Sequence, residues 1–176
     1  MTDMLKNCQL CPRACGADRT KSRGACGAGI EIEAARASLH MWEEPPISGT
    51  NGSGTVFFSH CSLGCVFCQN RKISRREAEG QNITADALAK TFLSLEKKGA
   101  HNINLVTGAH YVPQIIEALQ IARKQGLSLP VVYNSSGYEQ VETLQLLDGH
   151  IDIYLPDYKY YSSYYAGLYS HAEDYR

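Results

Sequence analysis

The sequence predicts an α/β protein that contains a parallel sheet and a cysteine-rich, metal-binding segment at its N-terminus. Two observations predict the sheet: short apolar runs alternate with amphipathic helical stretches from Thr55 onward, and a polar, glycine-containing cluster follows most of these runs. The third observation is that several of the seven cysteines fall within the first 26 residues. We expect residues 1–50 to form the metal-binding segment and its linker, and residues 51–176 to form the sheet domain.

The N-terminal segment carries the pattern Cys-x2-Cys-x3-Cys-x10-Cys, formed by Cys8, Cys11, Cys15 and Cys26. Four thiolates at this spacing complete a closed site, which either zinc or an iron–sulfur cluster would fill. The segment is short and polar, so metal binding would supply folding energy that apolar residues do not. The interleaved basic residues would offset the charge of the thiolates or form a solvated surface; they are Arg13, Arg19, Lys21 and Arg23.

The linker that follows mixes regular and irregular signals. Residues 30–33 alternate like a short strand, and residues 34–42 suit either an extension of that strand or a helix. Two consecutive prolines after Glu44 predict a break in regular structure, because proline lacks a backbone donor and restricts φ. We interpret Trp42, Glu43 and Glu44 as residues of packing and a solvated rim; the alternative is that they line a site.

A second group of cysteines follows the first predicted strand of the sheet. The β-branched and aromatic run at 55–59 predicts a buried strand, and Cys61, Cys65 and Cys68 come directly after it. Thiolates at this spacing suit an iron–sulfur cluster. Because three cysteines leave one iron of a four-iron cluster open, that iron would bind a reacting ligand. A structural zinc site or a disulfide loop is the alternative.

The remaining elements alternate regularly. After a basic surface loop at 69–81, a helix begins at Thr84 and ends at Gly99. Further strands are predicted at 103–107, 129–133 and 151–155, and helices from Val112 to near Gly126 and over 139–147. This β-α-β-α-β-α-β order requires a parallel sheet with helices outside it. Ligands of such sheets bind at the carboxyl ends of the strands, where the polar clusters and the cysteine loop lie.

The composition excludes several classes of function. The net charge of −1 gives no general attraction to nucleic acid, and residues 8–26 contain arginines but no aromatic residue for base stacking. The chain shows no apolar run near the roughly 18 residues of a membrane span, and its N-terminus lacks the apolar core of a signal peptide. We therefore expect a cytoplasmic protein, in which cysteines are metal ligands more often than disulfides.

The cysteine loop resembles that of the radical S-adenosylmethionine (SAM) enzymes, whose pattern is Cys-x3-Cys-x-aromatic-Cys, with Phe67 here at the aromatic position. The resemblance implies a 4Fe-4S cluster on Cys61, Cys65 and Cys68 and a SAM molecule chelated by the open iron. One-electron reduction would then cleave SAM to methionine and a 5′-deoxyadenosyl radical, so the protein would be an oxidoreductase that uses SAM.

The resemblance also assigns roles to the strand-end clusters. The segment after the second strand would hold the SAM amino group, although it lacks the family's acidic residue; it comprises Thr107, Gly108, Ala109 and His110. The segment after the third strand would contact the SAM ribose and methionine moiety, through Asn134, Ser135 and Ser136. After the fourth strand, Lys159 would pair with the SAM carboxylate, and Asp157 would hold a cation or the adjacent loop. A surface ion pair, which contributes little to stability, is the alternative interpretation of Asp157 and Lys159.

The whole chain looks most like uncharacterised relatives of pyruvate formate-lyase activating enzymes, which implies a partial parallel (β/α)6 barrel. About four of the six β/α units are present, so we expect the chain to be truncated at its C-terminus; the alternative is that a partner completes the sheet. The expected partners are SAM, a reductant such as flavodoxin or ferredoxin, and a glycyl radical enzyme as protein substrate. The alternative is a non-catalytic iron–sulfur or zinc protein, or an inactive fragment.

Overall fold

The computed structural model describes residues 2–175 of the chain. The six strands within this range are β1 Ile32–His40, β2 Ser53–Phe58, β3 Gln81–Ile83, β4 Ile103–Val106, β5 Val131–Ser135 and β6 Ile153–Pro156. The helices are α1 Pro45–Ser48, α2 Arg71–Ser74, α3 Ala85–Lys97, α4 Val112–Lys124, α5 Val141–Leu146 and α6 Ser163–Ser170. Two 3-10 turns cover Thr2–Leu5 and Ala109–Tyr111.

The strands form one mixed sheet in the order β3-β1-β2-β4-β5-β6. Strands β2, β4, β5 and β6 are parallel neighbours, as the alternation of strands and helices predicts. Strand β1 pairs antiparallel with both β2 and β3, so part of the expected linker belongs to the sheet. The α/β class is confirmed, whereas the curvature of a partial barrel remains a prediction.

The parallel strands present two different faces, because successive side chains of a strand point to opposite sides. Val56, Leu105 and Tyr133 face outward and are buried against α3 and α4 in the main core. The alternate positions, among them Val106 and Asn134, line a cleft on the inner face. The outward helices thus stabilise the sheet and leave its inner face available for a ligand.

Several local predictions hold and several need correction. The Thr84 side chain caps α3 by accepting a hydrogen bond from the Ala87 amide at 3.2 Å, as predicted. Residues 34–40 are strand rather than helix, and the proline pair starts the short helix α1, where proline suits the first turn because its missing donor is not needed. The expected surface loop at 69–81 contains α2 and the first residue of β3.

The last two parallel strands, β5 and β6, each begin two residues later than predicted. Strand β5 begins after Pro130, whose missing N–H cannot join the ladder, and it continues into the polar residues Asn134 and Ser135. Strand β6 likewise begins at Ile153. The apolar residues at 129 and 151 therefore lead into the strands instead of belonging to them.

Candidate metal centre and adjoining cleft

A cleft of about 710 Å³ opens at the carboxyl ends of the parallel strands. It brings together ten of the residues that the sequence assigns to a cluster or to SAM: Cys61, Cys65, Phe67, Cys68, Thr107, Asn134, Ser135, Ser136, Asp157 and Lys159. These residues come from four different strand ends, and the parallel register of the strands accounts for their meeting on one rim.

The loop that carries the three cysteines supplies hydrogen-bond donors to its sulfurs. Cys61 Sγ accepts from the Leu63 amide at 3.4 Å, and Cys68 Sγ accepts from the Ser74 hydroxyl at 3.3 Å. Burial raises the pKa of Cys61 to about 11, and the neighbouring thiols add to this. Metal coordination would displace that proton, and N–H and O–H donors aimed at sulfur then stabilise a thiolate.

Two arginines hold the backbone of this loop from different parts of the chain. Arg75 donates to the carbonyls of Gly64 at 2.9 Å and Cys65 at 3.1 Å. Arg13 donates to the carbonyls of Ser62 at 2.5 Å and Leu63 at 3.1 Å. Sequence reasoning missed this function of both residues, because the hydrogen bonds depend on packing between distant segments.

Arg13 also reaches the C-terminal part of the chain. Its guanidinium donates to the carbonyls of Ser170 at 2.6 Å and His171 at 2.9 Å, and it lies 5.7 Å from the centre of the Tyr138 ring. A single side chain between Cys11 and Cys15 therefore connects the N-terminal segment, the cysteine loop and the end of α6.

Three of the residues expected to bind SAM lie beneath the cleft rather than in its lining. Gly108, Ala109 and His110 are buried, and a Cβ at Gly108 would meet Ile115 Cδ1 at 2.7 Å. Burial lowers the pKa of His110 to about 3, so the ring is neutral, and its Nε2–H donates to the Ser59 carbonyl at 2.8 Å. Within this segment, the lining residue is Thr107.

The opposite rim is held by a tyrosine. Tyr175 accepts from the Lys159 amide at 2.8 Å and donates to the Ser136 carbonyl at 2.7 Å, which ties the ends of β5 and β6 together. The Lys159 ammonium forms an ion pair with the Asp157 carboxylate, and both side chains are partly exposed to the cleft. The rim therefore presents one cation and one anion beside the polar residues after β5.

The cleft also includes residues that we interpreted from the sequence as belonging to packing and a solvated rim. Trp42 and Glu43 line it, and the Glu43 carboxylate accepts from Asn104 Nδ2 at 2.9 Å and Asn134 Nδ2 at 3.3 Å. His60, at the start of the cysteine loop, is fully buried and contacts Glu33 Oε2 at 3.1 Å. Trp42 is 89% exposed, which fits a solvated rim rather than packing, and both Trp42 and Glu43 line the cleft, as the alternative interpretation expects.

The four N-terminal cysteines lie near one another. Burial raises the pKa of Cys11 to about 12, with further contributions from Cys26, Cys8 and Cys15. The sulfurs of Cys26 and Cys15 lie 3.6 and 3.7 Å from where a Cβ would stand on Gly24. Within residues 2–175, no three metal-ligating side chains converge as they would on a single ion. The assignment of a metal to either cysteine group therefore depends on donor chemistry and surroundings.

The basic residues of this segment differ in their environments. Arg19 is 1% exposed, so the solvated-surface interpretation is wrong for it. Its guanidinium donates to the carbonyls of Gly29 and His110 and lies 3.8 Å from Cys8 Sγ. Arg23 pairs with the buried Glu33 at 2.7 Å, while Lys21 is exposed.

Comparisons with known proteins agree with the position of the cysteine loop. The radical SAM superfamily model matches residues 55–166. An uncharacterised protein of Methanocaldococcus jannaschii is 31% identical over 163 residues, which cover 90% of this chain and 47% of that relative. The chain thus spans about half the length of the curated relative it matches.

Two further findings complete the comparisons. No solved structure matches the chain significantly. Among the helices that the structure describes, none has the length and apolar character needed to cross a membrane. Because the family model covers more than half of the chain and the relative covers most of it, the chain belongs to the radical SAM superfamily.

Proposed function

We propose that Cys61, Cys65 and Cys68 hold a 4Fe-4S cluster whose open iron binds SAM in the cleft, and that the protein cleaves SAM reductively. Membership of the superfamily implies a SAM-cleaving iron–sulfur enzyme. The observation that carries the proposal is that all three thiols line one polar cleft at the strand ends, on the same rim as the predicted SAM contacts.

The residues present fit both groups. Three soft ligands with N–H and O–H donors to sulfur suit a cluster, and a cleft of about 710 Å³ lies in the range of small-molecule sites. When reduced, the bound cluster would supply the electron that cleaves SAM to methionine and a 5′-deoxyadenosyl radical. The protein would orient SAM and exclude water from the reaction.

The rim residues divide the binding of SAM among them in this proposal. Lys159 would exchange its pairing with Asp157 for the SAM carboxylate, and Asp157 would then steady the adjacent loop. Asn134, Ser135 and Ser136 would offer polar groups to the ribose and methionine moiety. Thr107 would contact the amino group, while Gly108, Ala109 and His110 support the strand end below it; Phe67 would pack beside the cluster.

The N-terminal cysteines would hold a second metal, either zinc or an iron–sulfur cluster. The buried Arg19 supports this, because its guanidinium lies 3.8 Å from Cys8 Sγ and would offset part of the negative charge of a metal–thiolate site. Arg13 would then couple the second site mechanically to the cysteine loop.

The resemblance to pyruvate formate-lyase activating enzymes extends the proposal to a biological role. The radical would abstract hydrogen from a glycine of a glycyl radical enzyme, and flavodoxin or ferredoxin would supply electrons in the cytoplasm. The segments after β5 and β6 support this branch, because they resemble the corresponding motifs of those activating enzymes. A full-length relative would contribute substrate-binding parts in addition to those of this chain.

Product analysis after reduction tests the proposal. Anaerobically reconstituted protein, reduced with dithionite, is expected to convert SAM to 5′-deoxyadenosine and methionine, and Cys65→Ala is expected to abolish both products. Val66→Ala is the matched control, because this side chain lies in the same loop and is 53% exposed. Continued cleavage by Cys65→Ala would overturn the proposal.

A further inference from the structure

Glu43 places a carboxylate inside the cleft, between the end of β1 and the start of α1. Its Oε2 accepts hydrogen bonds from Asn104 Nδ2 at 2.9 Å on β4 and from Asn134 Nδ2 at 3.3 Å on β5. Its backbone carbonyl accepts from the Ser48 hydroxyl at 3.1 Å, which anchors the turn. Contacts from three elements thus hold the carboxylate in one position.

The two amides have a defined orientation. A carboxylate only accepts hydrogen bonds, so both amides must turn their NH2 groups toward Glu43 and their oxygens away. Asn104 is fully buried, and its Oδ1 has no hydrogen-bond partner within residues 2–175. Asn104 therefore serves as a donor to Glu43 from beneath the cleft, and it leaves the second carboxylate oxygen of Glu43 free.

The charge of Glu43 is also uncompensated by the protein. No Lys, Arg or His of the described chain forms an ion pair with it. Its Oε1 accepts no hydrogen bond from residues 2–175, and the lysine of the cleft lining, Lys159, is paired with Asp157. A half-buried carboxylate with a free oxygen favours a positively charged donor.

The neighbouring residue supplies an aromatic surface. Trp42 lines the same cleft and is 89% exposed, which is unusual for the largest side chain of a folded domain. A cleft lined by both an indole ring and a carboxylate is a favourable environment for an organic cation, because the ring face attracts positive charge. The exposure of Trp42 has no packing explanation in the described part of the chain.

We propose that Glu43 and Trp42 form a binding site for a cationic nitrogen, an ammonium or a guanidinium, within the cleft, with Asn104 holding the Glu43 carboxylate in position. The site is defined by these side chains and does not require the cluster. The cation has two sources with the same chemistry: the amino group of SAM, or a basic group of the molecule on which the radical acts.

Small probes test the site directly. Binding of n-butylammonium, n-butylguanidinium and neutral n-butanol is measured by isothermal titration calorimetry on the reconstituted, cluster-loaded protein. We expect at least one cation to bind about tenfold or more tightly than n-butanol, as a charge-assisted hydrogen bond in a sheltered site predicts. Equal binding of cations and n-butanol by the wild-type protein overturns the proposal.

Glu43→Gln and its neighbour Glu44→Gln form a matched pair, because Glu44 is exposed and makes no side-chain cap to α1. The Glu43→Gln variant still offers an oxygen to both asparagine amides and is expected to lose the preference for cations, while Glu44→Gln keeps it. If neither variant loses the preference for cations, or if both lose it equally, the assignment to Glu43 is contradicted.

SAM affinity of the same variants identifies the source of the cation. A tenfold weaker affinity in Glu43→Gln assigns the site to the SAM amino group. Unchanged SAM affinity, with butylammonium still binding to the SAM-loaded wild type, assigns it to the second substrate. If the protein fails to bind SAM at all but discriminates between the probes, the proposed function fails and the cation site stands.

Discussion

Arg13→Ala is expected to destabilise the cysteine loop more than any exposed substitution in the N-terminal segment. The guanidinium donates to four carbonyls, two in the cysteine loop and two at the end of α6. Alanine removes every one of these donors and leaves the carbonyls without replacement. The perturbation therefore reports whether the N-terminal segment holds the candidate cluster site in place.

The magnitude follows from the burial of the acceptors. Three of the four belong to buried residues: Ser62 is 3%, Leu63 1% and Ser170 2% exposed. Leaving each of these carbonyls without a donor costs about 1 kcal/mol at the lower end of measured values, so the free energy of unfolding should fall by about 3 kcal/mol. For a chain of this size, that lowers the Tm by about 6–12 °C.

Thermal unfolding of anaerobically reconstituted protein measures the change, together with its iron and sulfide content. Lys21→Ala is the control, because its ammonium is exposed and pairs only with Asp18; its effect should stay within about 0.5 kcal/mol. Arg13→Lys should fall between the two, since an ammonium cannot reach all four carbonyls. Equal Tm and iron content in Arg13→Ala and Lys21→Ala would refute the reasoning.

Three further predictions concern buried or strained positions. Burial lowers the pKa of His110 to about 3, so below pH 6.5 the unfolded chain binds more protons than the folded chain. Between pH 7 and pH 5, the free energy of unfolding of the wild type should therefore fall by about 2 kcal/mol relative to that of His110→Gln. Denaturant unfolding at both pH values would measure this. Burial raises the pKa of Glu139 to about 7, so the folded state loses stability as pH rises from 4.5 to 7 and the carboxyl ionises. Measured in the same way, the free energy of unfolding of Glu139→Gln should exceed that of the wild type by about 3 kcal/mol at pH 8 and by little at pH 4. Gly137 has φ +69° and a Cβ there would meet the Asp157 carbonyl at 2.6 Å, so Gly137→Ala should cost about 1–3 kcal/mol and weaken SAM binding, as equilibrium dialysis would measure.

Each of these predictions has a result that contradicts it. Parallel pH curves for wild type and His110→Gln would mean that the ring titrates normally in the fold. A Glu139→Gln variant that is destabilised equally at pH 4 and pH 8 would mean that the carboxyl serves as a structural acceptor for Ser135 rather than as a buried charge. Unchanged SAM affinity in Gly137→Ala would mean that the rim after β5 does not contact SAM.

The parallel half of the sheet could be predicted because its signals are local. Strands such as Ile103–Val106 are short, predominantly apolar runs, and α3 and α4 show helical spacing with capping and terminating residues beside them. The order of these elements then fixes a parallel arrangement by elementary topology. The alternation therefore carried enough information to place the cysteine loop and the polar clusters on one rim.

The antiparallel strands could not be predicted in the same way. Strand β1 has exposed or half-buried residues along most of its length, and its partner β3 has three residues. Their pairing depends on contacts between segments about fifty residues apart, for which neither sequence holds a local signal.

The candidate site, too, could be predicted from the sequence only in part. The spacing of Cys61, Cys65 and Cys68 identifies potential ligands from the sequence alone. The partners of Arg13 and Glu43 cannot be identified in this way, since these residues contact groups up to 158 and 91 positions away. His110 shows the opposite error: it lies in the expected segment, but the turn Ala109–Tyr111 places its ring beneath the cleft.

The measurement that tests the central claim most directly is electron paramagnetic resonance of the reduced, reconstituted protein with and without SAM. An open iron bound by Cys61, Cys65 and Cys68 predicts a 4Fe-4S signal that changes when SAM is added and disappears in Cys65→Ala. A cluster held by the N-terminal cysteines would remain in that variant and would not respond to SAM. A signal that SAM leaves unchanged in the wild type would contradict the account.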